Sequence, residues 1–118
     1  MLAGAIQLRR LYDKRLRLYY DEVRRGSMVR VSEFIVEGDR PDHVARHGVT
    51  IDEVEEVVFE PRNFTIKVPR GRYRMIAQTR EGRFLTVFLA RRAAGVYALV
   101  TARPATERER RNYRRAMR

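Results

Sequence analysis

The stretch FTIKVPRGRYRMIAQTREGRFLTVFLARRAAGVYALVTA, residues 64–102, decides the fold of this chain. Apolar and polar side chains alternate in four runs within it, which is the period of a β-strand. The runs cover residues 64–68, 72–78, 84–90 and 96–102, and the turns between them contain Gly71, Gly82 and Gly95. Because such short connections join neighbouring antiparallel strands, the stretch predicts a four-stranded antiparallel meander.

Helices are predicted before and after the meander in the chain, packed on one face of the sheet. Two capping boxes, in which a Thr is followed three residues later by a Glu, mark helix starts. They are formed by Thr50 with Glu53 and by Thr106 with Glu109. Asp39, followed by Pro41, predicts a short helix that ends at Gly48, and residues 28–36 alternate as a further strand. The predicted fold class is α+β, an antiparallel sheet of four to five strands packed by helices.

Residues 1–27 form a separate predicted unit, ahead of a domain that covers residues 28–118. Large apolar side chains recur every three or four positions from residue 4 to residue 25, as in an amphipathic helix, and Gly26 and Ser27 end that pattern. The apolar side of an additional helix must be buried against another surface. We therefore expect this helix to form a homodimer or to pack on its own domain. The alternative is that translation naturally begins at Met28.

Composition excludes several classes of protein. A chain of 118 residues with 44% hydrophobic residues makes one globular domain. It has no cysteine, which excludes disulfides, thiolate metal sites and a cysteine nucleophile. No apolar run is long enough to cross a membrane, and the first residues lack the features of a secretory signal. We therefore expect a cytoplasmic protein with no membrane association.

The charge of the chain points to a polyanionic partner. The net charge is +11, with +5 over residues 1–30, −4 over residues 31–70 and +10 over residues 71–118. Basic surfaces of this kind bind nucleic acid through its phosphates. All but two of the 26 basic residues are arginine, which grips phosphate with two parallel hydrogen bonds. An arginine bias can equally reflect genomic composition or a hot habitat.

Several side chains suit the cleavage of RNA without a metal. The reaction needs a group that moves a proton at neutral pH, for which His47 is the candidate, and positive charge around the phosphorus. Candidates for that charge are Arg46, Arg72, Arg74 and Arg103, and Tyr113 could move a proton or stack on a base. Structural alternatives stay open: His47 as a helix cap, the arginines as solvated charges and Tyr113 as an anchor. His43 lies one helical turn before His47, but no third metal ligand accompanies the pair.

The span from about residue 34 to residue 113 resembles the BrnT toxins of bacterial type II toxin–antitoxin pairs, small ribonucleases whose fold is similar to that of RelE toxins. The strings that carry the resemblance are Arg46-His47-Gly48-Val49, Glu53-Val54-Glu55-Glu56-Val57, Arg72-Tyr73, Gly82-Arg83-Phe84-Leu85 and Ala102-Arg103, followed by Thr106, Glu109 and Tyr113. The resemblance implies a toxin that inhibits translation by cleaving cellular RNA without metal or other cofactor. It also implies a ribbon-helix-helix antitoxin partner similar to BrnA.

On this hypothesis the candidate residues have two roles. The predicted catalytic residues are His47, Arg72, Arg103 and Tyr113, and the predicted RNA-binding residues are Arg46, Arg74, Arg110, Arg111 and Arg114. Two other functions remain open on the sequence. One is a noncatalytic RNA-binding or regulatory relative of the same fold, and the other is an assembly protein that oligomerises through the helix predicted in residues 1–27.

Overall fold

The computed structural model describes residues 26–118, which form five strands and three helices. In chain order they are β1 (Glu33–Ile35), α1 (Arg40–Ala45), α2 (Ile51–Val58), β2 (Phe64–Val68), β3 (Arg72–Gln78), β4 (Phe84–Ala93), β5 (Val96–Pro104) and α3 (Glu107–Ala116). The amphipathic helix predicted for residues 4–25, and any dimer formed through it, lie outside the described residues. Within those residues, no helix has the length and apolar content needed to span a membrane.

All five strands join one sheet in the order β1-β5-β4-β3-β2. The predicted α+β class is confirmed, and β2 to β5 pair as the predicted antiparallel meander. The fifth strand corrects the prediction, because β1 pairs with β5 in parallel and makes the sheet mixed. A parallel pairing needs a long crossover; here it contains both α1 and α2, which carry the chain to the opposite edge of the sheet before β2 begins.

The strand predicted over residues 28–36 is shorter in the structure and covers only Glu33–Ile35. The residues before it are hydrogen-bonded to Asn63 instead. The Asn63 side chain is buried, accepts a hydrogen bond from the Val29 amide at 2.9 Å and donates one to the Val29 carbonyl at 2.8 Å. It also donates to the Glu60 carbonyl at 2.7 Å and accepts from the Thr65 hydroxyl at 2.8 Å. Ser27 also exchanges two backbone hydrogen bonds with Thr65, so residues 27–29 lie beside β2 instead of extending β1.

Both predicted capping boxes are present. The Thr50 hydroxyl accepts from the Glu53 amide at 3.1 Å while the Glu53 carboxylate accepts from the Thr50 amide at 3.0 Å, and Thr106 and Glu109 repeat the arrangement at the start of α3. Satisfied first-turn amides fix where each helix begins. The Asp39 side chain makes no such bond, so α1 begins with Pro41 in its first turn and without a side-chain cap.

The strands of the meander divide their side chains between two faces. On β4, Leu85, Val87 and Leu89 are fully buried in the main core, to which α2 adds Val54, Val57 and Val58. The alternate residues, Phe84, Thr86 and Phe88, lie on the other face. Helix α3 packs there, because its residues Glu109 and Tyr113 contact Thr86 and Phe84, so the expectation that all helices share one face was wrong. The candidate site lies on this second face.

Candidate nucleic-acid interface

Helix α1 lies along the part of β5 that extends beyond β1. Arg40 donates a hydrogen bond from Nη1 to the Val100 carbonyl at 3.0 Å, and Nε2 of His43 lies 3.0 Å from Oγ1 of Thr101. The chain of α1 and the chain of β5 therefore run in the same direction. One helical turn beyond His43 is about 6 Å, and two strand residues beyond Thr101 are about 6.6 Å. His47 is thus carried toward the end of β5 that holds Arg103.

A tight turn presents His47 after α1. Gly48 has a φ of 75°, the left-handed conformation that favours glycine after a helix. His47 and Arg46 are both exposed, and the His47 ring lies edge-on to the His43 ring with centroids 5.4 Å apart. Within residues 26–118 the structure gives the His47 ring no hydrogen-bond partner, so it does not cap the helix. The ring is accessible for proton transfer at the surface.

Arg83 supports the turn from the other side. Its guanidinium bonds to the Glu53 carboxylate at 2.9 and 3.0 Å, and its Nη2 would lie 3.9 Å from a Cβ at Gly48. The hydrogen bond from the Thr50 amide lowers the pKa of Glu53 against the opposing effect of burial, and the bond from Arg83 lowers it further. This pair joins the start of α2 to the β3–β4 hairpin next to the His47 turn.

Four side chains on neighbouring strands form the surface next to the turn. Arg74, Phe88 and Thr101 occupy one row across β3, β4 and β5, and Arg103 stands in the next row opposite Thr86. The Arg103 guanidinium lies over the Phe88 ring, 5.5 Å from its centroid, in cation–π contact. We call the surface formed by Arg74, Phe88, Thr101 and Arg103 the arginine face.

A buried carboxylate holds the two arginines of this face. Glu109 accepts hydrogen bonds from Nη1 and Nη2 of Arg103 at 2.8 and 2.9 Å, and Nη1 of Arg74 lies 4.0 Å away. Burial alone would raise the pKa of Glu109, but the bonds from Arg103, the Thr106 amide and the Thr86 hydroxyl outweigh it and lower the pKa to about 2. The bond to Glu109 raises the pKa of Arg103. One negative charge therefore fixes the directions of two guanidiniums.

The arginines predicted to bind RNA on α3 make contacts within the protein. Arg110 donates to the Ala105 carbonyl at 3.0 Å, Arg111 lies 3.4 Å from the Glu107 carboxylate, and Arg114 stacks over the Phe84 ring at 5.2 Å. Arg111 and Arg114 remain exposed, whereas Arg110 is half-buried. These contacts leave α3 with a cationic outer surface adjacent to the arginine face.

Tyr113 anchors α3 to the sheet, which is the structural alternative to a catalytic role. Its ring is 7% exposed and packs against Phe84, with centroids 5.3 Å apart, and its hydroxyl donates to the Arg62 carbonyl at 3.0 Å. Burial raises the pKa of the phenol. The hydroxyl is turned into the protein, and the structure does not bring it together with His47 and Arg103.

Similarity to known proteins is found only at the level of solved structures. No family model matches it, and no curated protein matches it in sequence. Among solved structures, the ribonuclease toxin BrnT of Brucella abortus superposes with a TM-score of 0.51 at 14% identity, over 64% of this chain and 100% of the BrnT chain. The chain has the BrnT fold. The resemblance seen in the sequence is thereby confirmed at the level of the fold.

Within this BrnT fold six of the predicted site residues separate into four places. Arg74 and Arg103 share the arginine face, and His47 and Arg46 lie on the turn directed toward its edge. Arg72 lies one row beyond Arg74, opposite Ala90, and Tyr113 is buried beneath α3. No three acidic or histidine side chains in residues 26–118 come together as a metal site.

Sequence reasoning missed the residues that connect these places. Phe88 and Thr101 lie in ordinary strand patterns, and only the pairing of β3, β4 and β5 shows that they stand beside the arginines. Glu109 was recognised as a capping residue, but not as the partner of Arg103 and Thr86. The sequence contained one signal for this contact. Glu109 follows Arg103 by six residues, and the short connection between β5 and α3 returns the first turn of the helix to the end of the strand.

Proposed function

We propose that this chain is a toxin endoribonuclease that cleaves cellular RNA without a metal and so inhibits translation in the cytoplasm. The observation that supports the proposal is the exposed His47 after α1, a helix that hydrogen-bonds along β5 toward its Arg103 end, within the BrnT fold. An imidazole beside two ordered guanidiniums combines proton transfer with stabilisation of a charged phosphorus centre.

The proposed reaction gives each of these residues a role. His47 takes the proton of a ribose 2′-hydroxyl, whose oxygen attacks the adjacent phosphorus while the bond to the 5′-oxygen breaks. Arg103 and Arg74 bind the phosphorane oxygens, and the leaving 5′-oxygen takes a proton from solvent. The products are a 2′,3′-cyclic phosphate and a 5′-hydroxyl. Arg103 can serve while bonded to Glu109 because a guanidinium has five N–H donors and its side chain is 35% exposed.

A protein partner is part of the proposal. A type II antitoxin resembling the ribbon-helix-helix protein BrnA would neutralise the toxin by covering the arginine face and the outer arginines of α3, including Arg111 and Arg114. Acidic side chains on that partner would meet the net charge of +11 on this chain. The complex would then exclude RNA from the face.

A noncatalytic RNA-binding protein is the second candidate function. Two observations favour it: the Arg103 guanidinium is already paired with Glu109, and the Tyr113 hydroxyl is bonded to the Arg62 carbonyl. Such a protein would bind RNA with strong salt dependence and release it uncut.

Cleavage of a labelled RNA in EDTA distinguishes the two candidates. We expect the natural chain to produce cyclic-phosphate ends, and we expect His47→Ala and Arg103→Ala to lower the rate by at least about 100-fold. Arg91→Ala is the matched control, because Arg91 is exposed on β4 away from the arginine face. RNA binding without cleavage would establish the noncatalytic function. Cleavage that all three variants retain would identify a contaminating nuclease.

A further inference from the structure

A depression of about 400 Å³ opens on the sheet one row beyond the arginine face. Its floor is Ala90 and Ala98, which pair with each other across β4 and β5, and Arg72 stands opposite Ala90 on β3. Arg40 and Arg92 complete the basic wall, and Glu37 and Asp39 form the acidic rim. The hollow exists because two small alanine side chains stand next to each other, between Arg72 on β3 and Ile35 on β1.

The three arginines of the depression are in different states. Arg40 is fixed by its bond to the Val100 carbonyl at 3.0 Å. Arg92 is paired with Glu37 at 2.7 Å, and both side chains are about half exposed. Arg72 is exposed and has no side-chain partner among residues 26–118. One guanidinium is therefore open to a ligand, and a second is held by a carboxylate that water can readily replace.

We propose that this depression binds one ribonucleotide of the RNA substrate, next to the phosphate that is cleaved. Its phosphate would bind Arg72 and Arg92, while a ribose hydroxyl or a base N–H would donate to Asp39. The proposal rests on the proposed ribonuclease function and adds a substrate subsite to it.

Size and spacing support a nucleotide in this place. A volume of about 400 Å³ lies within the range of small-molecule sites and exceeds what a bare phosphate needs. Arg72 and Arg74 are two residues apart on one face of β3, which separates them by about 7 Å. A strand of RNA that places one phosphate at Arg74 can therefore place the neighbouring phosphate at Arg72. The mixed charge of the rim also fits a ligand that has both acceptor and donor groups.

The Glu37–Arg92 pair predicts the direction in which phosphate affinity changes when Glu37 is substituted. The Glu37 carboxylate occupies the guanidinium that the phosphate would use, so it competes with the ligand. Removing its charge by Glu37→Gln leaves Arg92 available. Tighter phosphate binding after the loss of an acidic side chain is expected only if the phosphate reaches Arg92 itself or its immediate surroundings.

The test uses adenosine 5′-monophosphate, with inorganic phosphate and adenosine as separate arms, titrated by calorimetry into the full chain. We expect Arg92→Ala and Arg72→Ala each to weaken binding of the monophosphate about tenfold. Glu37→Gln should tighten it about threefold. Arg91→Ala removes the same charge from the neighbouring residue of β4 and should leave binding within about twofold. Circular dichroism of each variant verifies that it is folded.

Kinetics with an oligonucleotide separate this proposal from the function on which it rests. If the chain cleaves RNA, Arg92→Ala should raise KM with little change in kcat, and Glu37→Gln should lower KM. Cleavage in which neither substitution alters KM or monophosphate binding would overturn the subsite and leave the ribonuclease intact. Monophosphate binding with the expected pattern in a chain that cuts no RNA would support the subsite and overturn the ribonuclease. Equal binding of adenosine and its monophosphate would also overturn the subsite.

Discussion

The Arg103 guanidinium and the Glu109 carboxylate are joined by two parallel hydrogen bonds of 2.8 and 2.9 Å, one member at the end of β5 and the other in the first turn of α3. The same carboxylate caps the helix through the Thr106 amide at 2.8 Å. A single side chain therefore fixes the start of α3 and the direction of the arginine proposed to act on phosphate. Substitution of Glu109 should therefore change both the stability of the fold and the activity proposed for Arg103.

Glu109→Ala should destabilise the fold by about 3 kcal/mol, because it leaves Arg103 and the Thr106 amide without their partner. Urea unfolding measures the change. Glu107→Ala is the control, since Glu107 is 75% exposed in the same helical turn and should change stability by no more than about 0.5 kcal/mol. Equal effects of the two substitutions would show that the buried pair contributes nothing to stability.

Acid should unfold the protein through the same carboxylate. Folding lowers the pKa of Glu109 from 4.5 to about 2, so the folded state favours the ionised form. The stabilisation is complete above pH 4.5 and is lost as the pH falls toward 2; it is on the order of 3 kcal/mol. Urea midpoints between pH 7 and pH 2.5 should fall steeply for the natural chain and less for Glu109→Gln. Parallel curves for the two proteins would contradict this assignment.

Gly48→Ala should destabilise the fold by about 1 kcal/mol or more through backbone strain alone. The φ of 75° disfavours any residue with a Cβ, while the nearest atom to that Cβ, Arg83 Nη2, is 3.9 Å away and causes no clash. Thermal unfolding measures the loss. RNA cleavage should fall more than stability alone explains, because a relaxed turn moves His47. A variant as stable as the natural chain would show that the turn is not strained.

Arg74→Ala should weaken RNA binding and reduce the slope of log affinity against log salt by about one. The reason is that Arg74 is proposed to bind one phosphate at the arginine face. Filter binding at several salt concentrations gives the slope. Arg80→Ala, an exposed arginine on the β3–β4 hairpin beside the acidic surface of α2, should leave it unchanged. An unaltered slope in Arg74→Ala would place the phosphate elsewhere.

Tyr113→Phe distinguishes an anchor from a catalytic phenol. The substitution removes the hydrogen bond to the Arg62 carbonyl and should lower the free energy of unfolding by about 1 kcal/mol. We expect the folded variant to cleave RNA at the natural rate, because the buried hydroxyl does not reach the arginine face. A rate reduced 100-fold or more in a folded variant would instead restore the catalytic role that the BrnT resemblance implied.

Local signals in the sequence predicted most of the fold. The capping pairs Thr50 with Glu53 and Thr106 with Glu109 act over three residues, so the sequence alone identifies them. Strand pairing between Glu33 and Val96 acts across most of the chain, and no local pattern predicts its parallel direction. The site shows the same division: the arginines were recognisable, whereas their neighbours depended on strand register.

The parallel pairing of β1 with β5 also orders events during synthesis. Glu33 leaves the ribosome long before Val96, its partner in the sheet, so the edge strand must wait until the meander is almost complete. Topologies with such distant pairings fold slowly, and this sheet can be completed only after β5 has been synthesised. Arg103 and Glu109 come later still. A chain proposed to attack RNA would therefore have no assembled arginine face on the ribosome until residues 103–109 have been synthesised.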